Sequence, residues 1–140
     1  MSTARFDECD EQDLAQTIGQ LHALVSAAHR TMVQAICAFD RQEGWREDGA
    51  NSVVPWLVGM LGVSSRTAAE WIDVGSKLES LPAIASAYGE GRLSWDQVAS
   101  LSRFATPHDD EALAEAAPGW TVAHIRALAR RARAAGALQP

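Results

Sequence analysis

The sequence predicts an all-α protein, in which a long N-terminal helix is followed by a compact multi-helix domain containing a helix-turn-helix. Three observations predict it. Apolar residues recur at spacings of three and four rather than two. Ser, Thr or Asp stands ahead of most apolar runs, where helix N-caps belong, and Gly or Pro follows them. Strand signals are missing: there is no sustained apolar/polar alternation, and β-branched residues rarely cluster. With 47% hydrophobic and 21% charged residues over 140 positions, the chain has the balance of a single folded domain.

Residues 1–12 are polar and acidic. They are expected to be disordered, and they lack the apolar core of a signal peptide. In segment 13–43, Leu14, Ile18, Leu21, Val25, Ala28, Met32, Ile36 and Phe39 form one stripe along a helix over 13–42. At 1.5 Å per residue that helix is roughly 45 Å long. Gly44 is expected to stop it in the left-handed conformation. A small lobe covers so long a stripe with difficulty. Two readings follow: the core helix of its own domain, or a helix that pairs two copies or binds a partner.

The remaining helical domain spans 44–136. Its first link, 44–51, carries the turn signal Asp48-Gly49. Ser52 is expected to cap a helix over 53–60, with Pro55 tolerated in its first turn. Leu61-Gly62-Val63 breaks it, and Ser64 caps the next helix, over 65–78. Pro82 opens a short helix that Gly89 and Gly91 stop near Tyr88. Ser94 and Gln97 form a capping box for a helix over 95–104. Pro107 is expected to start a helix whose first turn holds Asp109, Asp110 and Glu111, which suits its own macrodipole. Pro118-Gly119 ends it. Thr121 caps the last helix, which Gly136 is expected to end, leaving 137–140 as a frayed tail.

The net charge of -6 hides an asymmetry. Residues 1–50 and 51–120 each carry four Lys/Arg against nine Asp/Glu, whereas 121–140 carry four arginines and no acid. Nonspecific nucleic-acid binding by the whole chain is therefore disfavoured, and the last helix is the one positive patch. No apolar run approaches the roughly eighteen residues of a membrane span. Cys9 and Cys37 allow at most one bridge. Without an export signal both are expected to be reduced, in a cytoplasmic protein.

The helix-turn-helix lies at 53–78. Gly62 supplies its left-handed turn residue, Leu57 and Leu61 face inward before it, and Val63, Ala68, Trp71 and Ile72 face inward after it. In a DNA-binding motif of this kind the N-terminal residues of the second helix enter the major groove. Ser65, Arg66, Ala69 and Glu70 would be exposed there, with Arg66 placed for a guanine edge or a phosphate. Glu70 and Asp73 oppose phosphate approach, and Lys77 is one turn from Asp73 and spaced to pair with it. Helix pairs with a glycine turn are also common in proteins that do not bind DNA.

In the last helix, Arg126, Arg130 and Arg133 share one face opposite an apolar seam of Val122, Ile125, Ala129 and Ala132, with Arg131 nearby. They read either as a phosphate-contacting edge or as a solvated face near a helix C-terminus. The five tryptophans, Trp45, Trp56, Trp71, Trp95 and Trp120, read as core anchors. Only Trp45, beside Arg46, and Trp120 have a setting in which a base could stack on them. Catalysis has no support: His22 and His29 are about 10 Å apart on one helix, and no metal-ligand spacing or phosphate-binding glycine loop is present. No catalytic residue, metal, cofactor or small-molecule ligand is indicated, and a triad of His108 or His124 with a serine has nothing to nominate it.

The run Asp48-Gly49-Ala50-Asn51-Ser52, then Trp56-Leu57, Leu61-Gly62-Val63-Ser64-Ser65-Arg66-Thr67-Ala68, Leu81-Pro82-Ala83 and Gly91-Arg92-Leu93-Ser94-Trp95-Asp96-Gln97-Val98 resembles the actinobacterial "thirteen-E-twelve" repeat family, domain of unknown function 222. The resemblance covers most of the chain, and the segment from Leu-Pro to Gly-x-Leu-Ser is its most specific part. Members often carry an HNH nuclease domain C-terminal to this region. No HNH histidine pair or zinc-knuckle cysteines occur here, so no nuclease residue carries over. The order of Leu-Gly-x-Ser, Leu-Pro, Gly-x-Leu-Ser and Trp120-Thr121-Val122 before a basic helix is also similar, more weakly, to the DNA-binding core of ParB/KorB partition proteins. That likeness implies that Ser64, Ser65, Arg66 and Thr67 lie at the groove. The acidic Glu70 and Asp73 depart from it.

The expectation is a DNA-binding or DNA-targeting domain that is not itself an enzyme. Ser64, Ser65, Arg66 and Thr67 would contact double-stranded DNA at the groove, and Arg126, Arg130 and Arg133 would hold its backbone. The alternative is a protein-interaction domain, such as a homodimer through the long first helix, with no DNA contact of its own.

Overall fold

The structure, a computed structural model, describes residues 4–138. In chain order its helices are α1 (Ala4–Asp7), α2 (Glu11–Arg41), α3 (Val53–Leu61), α4 (Ser65–Leu78), α5 (Pro82–Gly89), α6 (Trp95–Leu101), α7 (Asp110–Ala116) and α8 (Val122–Leu138). Short 3-10 turns stand at Gly44–Arg46 and Ala117–Gly119. No strand occurs among the described residues, so the fold is all-α, with a long N-terminal helix leading into a multi-helix domain.

Residues 1–12 were expected to be disordered. The described part of that segment contains α1, and Asp10 is the N-cap of α2, its carboxylate accepting from the Gln12 N–H at 3.2 Å. Glu11 and Asp13 in the first turn and Arg41 in the last suit the helix dipole.

The helix α2 has two unlike faces. Ser26, Val33, Ile36 and Cys37 are buried against the body. The N-terminal part of the apolar stripe is not: Ile18 is 67% exposed, Leu21 50% and Val25 63%. Toward its C-terminal end the stripe joins the core: Ile36 is buried, Met32 and Phe39 are half-buried, and Ala35 beside them stays exposed.

Two clusters form the interior. In the first, Ile36 of α2 meets Val53 and Leu57 of α3 and Ala68 of α4, with Met32, Phe39, Trp56, Trp71 and Ile72 packed around them. In the second, Val74 and Leu78 of α4 join Ile84 and Tyr88 of α5, Val98 and Leu101 of α6, Ala114 of α7 and Ile125 of α8. Because α4 contributes to both, it ties the α2–α3 end to the α5–α8 end. Gly75 makes the α2–α4 crossing close, since a Cβ there would stand 2.6 Å from Val33 Cγ1 and 2.7 Å from Cys37 Sγ.

Several local expectations change. The left-handed residue after α2 is Glu43, at φ 55°, not Gly44. Gly44 is needed for room instead, because the Phe39 ring lies where its side chain would be. Ser52 stands at the N-cap of α3 but makes no side-chain cap. Leu61 is 49% exposed rather than inward, since α3 turns it away from α4. The helix α6 ends at Leu101, where Ser102 bonds back to the Ala99 carbonyl at 2.7 Å. The helix α7 starts at Asp110, because Asp109 closes a turn by accepting from the Thr106 N–H at 2.7 Å. Gly136 does not end α8, which runs to Leu138. Flanking alanines carry a helix through a glycine at a cost of about 1 kcal/mol. Residues 139–140 of the expected frayed tail lie outside the described residues, as do residues 1–3.

Candidate nucleic-acid interface

The helix-turn-helix segment forms as its residues dictate. Gly62 adopts φ 72° and its N–H bonds to the Val58 carbonyl at 3.0 Å, closing α3 with a left-handed residue. Ser64 is extended and caps α4, its Oγ accepting from the Thr67 N–H at 3.0 Å. The Ser64 hydroxyl also donates to Thr67 Oγ1 at 3.1 Å. Two of the three hydroxyls expected at the groove, those of Ser64 and Thr67, are thus engaged in the helix's own cap. Ser65 and Arg66 remain exposed beside them.

The outer face of α4 is mixed in charge. Arg66, Ala69, Glu70 and Asp73 line one wall of a groove of about 310 Å³, and Ala99, Ser102 and Arg103, at the end of α6, line the other. Its two acids already have partners. The Trp95 Nε1–H donates to Glu70 at 3.1 Å, and Lys77 pairs with Asp73 at 3.1 Å, one turn away as the spacing predicts. Arg66 and Arg103 have no hydrogen-bond or ion-pair partner among the described residues. Arg103 was missed by sequence reasoning, because nothing local marks it; only the fold brings the end of α6 to α4.

The second candidate surface is α8. Thr121 caps it, accepting from the His124 N–H at 3.1 Å, and Trp120 packs edge-on against His124. Ile125 and Ala129 are buried against α6, whereas every residue over 130–136, Ala132 included, is exposed. The last turns of α8 therefore extend beyond the body. Arg126, Arg130, Arg131 and Arg133 are all exposed and make no ion pair among the described residues, whose ion pairs lie elsewhere on the chain. Both surfaces rest on α6: α8 packs along it, and its end borders the α4 groove. The structure thus places the predicted site residues on two separate helices with a shared support.

The tryptophans serve mainly as anchors. Trp56 packs on Phe39 at 4.4 Å between ring centroids and donates to Asp48 at 2.7 Å. Trp45 donates to Asp40 at 3.1 Å, with the Arg46 guanidinium 5.5 Å over its ring. Trp71 and Trp95 flank His29, at 5.4 and 4.7 Å.

His29 is the least expected feature. Its Nδ1 shares a short hydrogen bond with the Tyr88 hydroxyl, joining α2 to α5. Burial lowers the imidazole pKa and raises that of the phenol, so the hydroxyl donates to a neutral ring. Sequence spacing gave no signal for this pair, which is separated by 59 positions. A histidine whose pKa is lowered on folding binds fewer protons folded than unfolded. Stability is then full above its ordinary 6.5 and falls as pH drops from there toward the lowered folded value. The melting temperature should fall more between pH 7 and pH 5 for the wild type than for His29→Gln; equal slopes would contradict the assignment.

A second depression, of about 570 Å³, lies where α2 meets α5. Its acids are engaged, Glu79 with Arg41 and Glu90 with Arg92 and Ser86. Among the described residues, no three His, Cys, Asp or Glu side chains come together as metal ligands, and no helix is long and apolar enough to cross a membrane.

No curated protein and no solved structure matches the chain. One family model does, over residues 11–139, a span that takes in all of α2 to α8. The chain belongs to that family, the Domain of unknown function (DUF222).

Proposed function

We propose that this chain is a DNA-contacting helical domain whose main phosphate-holding edge is α8, with Arg66 at the head of α4 as a secondary contact. One observation carries the reading: four exposed arginines on α8 lack any acidic partner among the described residues, on an otherwise acidic chain. Elsewhere on the surface, cations such as Arg41, Arg46, Lys77 and Arg92 are paired with carboxylates. An unpaired guanidinium row is suited to phosphate, which it can grip in a bidentate manner. The face of α4 supports less. Ser64 and Thr67 are spent on the cap, and the carboxylates of Glu70 and Asp73 limit close approach to a duplex. In this reading α4 contributes Arg66, with Ser65 beside it, and Arg103 borders the same groove. A nuclease module elsewhere in a longer protein would be positioned by such contacts rather than assisted chemically.

The test is fluorescence anisotropy with labelled duplex DNA at two salt concentrations. Four phosphate contacts predict a loss of roughly 100-fold in affinity between about 50 and 200 mM salt. Replacing Arg126, Arg130 and Arg133 together by alanine should lower the salt slope by about three units. No binding at the lower salt, or an unchanged slope in the triple variant, would sink the proposal.

A second reading, a protein-interaction domain, is favoured by a different observation: the uncovered stripe on α2.

A further inference from the structure

One apolar line of α2 follows the heptad spacing without a break. Leu14, Ile18, Leu21, Val25, Ala28, Met32, Ala35 and Phe39 stand four, three, four, three, four, three and four apart, the seam of a two-stranded coil. The residues of α2 buried against the body are Ser26, Val33, Ile36 and Cys37, on a face that adjoins this line. The N-terminal half of the seam, with Ile18, Leu21 and Val25 exposed, therefore lies outside the domain's core, whereas Met32 and Phe39 are half-buried and also pack against the first cluster.

Its two halves differ in a complementary way. Toward the N-terminus it presents Ile18, Leu21 and Val25 as ridges standing in solvent. Toward the C-terminus it forms one wall of an apolar groove of about 330 Å³, which Trp56 and Leu61 of α3 close on the other side. Leu61 remains half-exposed along that groove.

We propose that the seam is covered by a second copy of this chain, with the two α2 helices antiparallel about a two-fold axis. In that register Leu14 faces Phe39, Ile18 faces Ala35, Leu21 faces Met32 and Val25 faces Ala28, each pair occurring twice. The bulky N-terminal ridge of each copy then fills the groove between α2 and α3 of the other.

Packing and charge both select this orientation. A parallel pair would set Ala28 on Ala28 and Ala35 on Ala35, leaving gaps in two layers, where the antiparallel pair sets a larger side chain on each alanine. A parallel pair would also bring the acidic start of the chain, with Asp7, Asp10, Glu11 and Asp13, against its own copy. The antiparallel pair keeps those acids at opposite ends of the two helices and opposes the helix dipoles. Positions flanking the seam, such as Thr17, Leu24 and Thr31, carry no carboxylate, lysine or arginine that would repel the same helix. This proposal stands apart from DNA contact, since it uses α2 and α3 and neither α4 nor α8.

Sedimentation of the full chain at micromolar concentrations should give twice the monomer mass. The variant Ile18→Glu with Leu21→Glu should give the monomer mass while its helical circular dichroism is retained, because both side chains already stand in solvent. Orientation is read by cross-linking in a Cys9→Ser background. An oxidised mixture of an Ile18→Cys chain with an Ala35→Cys chain should yield the mixed disulfide dimer, and Ile18→Cys alone should yield little, its copies being about 25 Å apart along the axis. A monomer throughout, a doubled mass that survives the two glutamates, or efficient bridging of Ile18→Cys to itself would each overturn it.

Discussion

Replacing Asp110 by alanine is expected to cost about 2–4 kcal/mol of stability, the loss of two charge-assisted backbone bonds with their donors left without partners. Asp110 is 2% exposed, and its carboxylate accepts from the Ala83 N–H at 2.7 Å and from the Ile84 N–H at 2.9 Å. Those two groups belong to the first turn of α5, whose N-cap position is Leu81 and so offers no side-chain oxygen. The sequence places Asp110 in the first turn of its own helix, where the macrodipole alone accounts for it. The structure adds a larger role, as the cap of another helix across the core. Glu111, the next residue, is exposed and has only the dipole. Thermal melts therefore separate the two explanations. At roughly 3 °C per kcal/mol for a chain of this size, Asp110→Ala should lower the melting temperature by about 6–12 °C, and Glu111→Ala by little. Equal small losses would mean that the cross-helix cap contributes no more than the dipole.

A leucine at position 75 should be at least as damaging, costing about 3 kcal/mol or more through overpacking. The backbone of α4 approaches α2 so closely there that even a Cβ meets Val33 and the buried Cys37. Alanine is the informative variant. It gains about 0.5–1 kcal/mol in helix propensity over glycine, so a net loss isolates the steric term. Combining Gly75→Ala with Val33→Ala makes room, and the pair should lose less than the sum of the single variants in chemical denaturation. Simple additivity would place the close approach somewhere other than Val33.

What was legible in the sequence was what is local. The Ser64 cap, the left-handed Gly62, the Ser94–Gln97 capping box and the Thr121 cap all rest on residues two to four apart, and all form. What failed is set by residues far apart in the chain. Ile36 turns inward because Val53, Leu57 and Ala68 meet it, so the exposed seam passes through Ala35, a choice that spacing alone does not make. Leu61 reads as core but borders the α2 groove. Asp110 and Ala83 are 27 positions apart, and His29 and Tyr88 59. At the candidate site the arginines were legible as a pattern. Their lack of partners was not, because pairing on the rest of the surface depends on contacts such as Arg41 with Glu79, 38 positions apart.

In the proposed reading α8, not the face of α4, holds nucleic acid. Amide chemical-shift mapping during titration with a short duplex at low salt separates the two. Shifts should concentrate on α8 from Arg126 onward, with a smaller set at Ser65 and Arg66, while the α2 seam is unmoved. Shifts centred on Ala69 to Asp73, or none at saturating duplex, would contradict it.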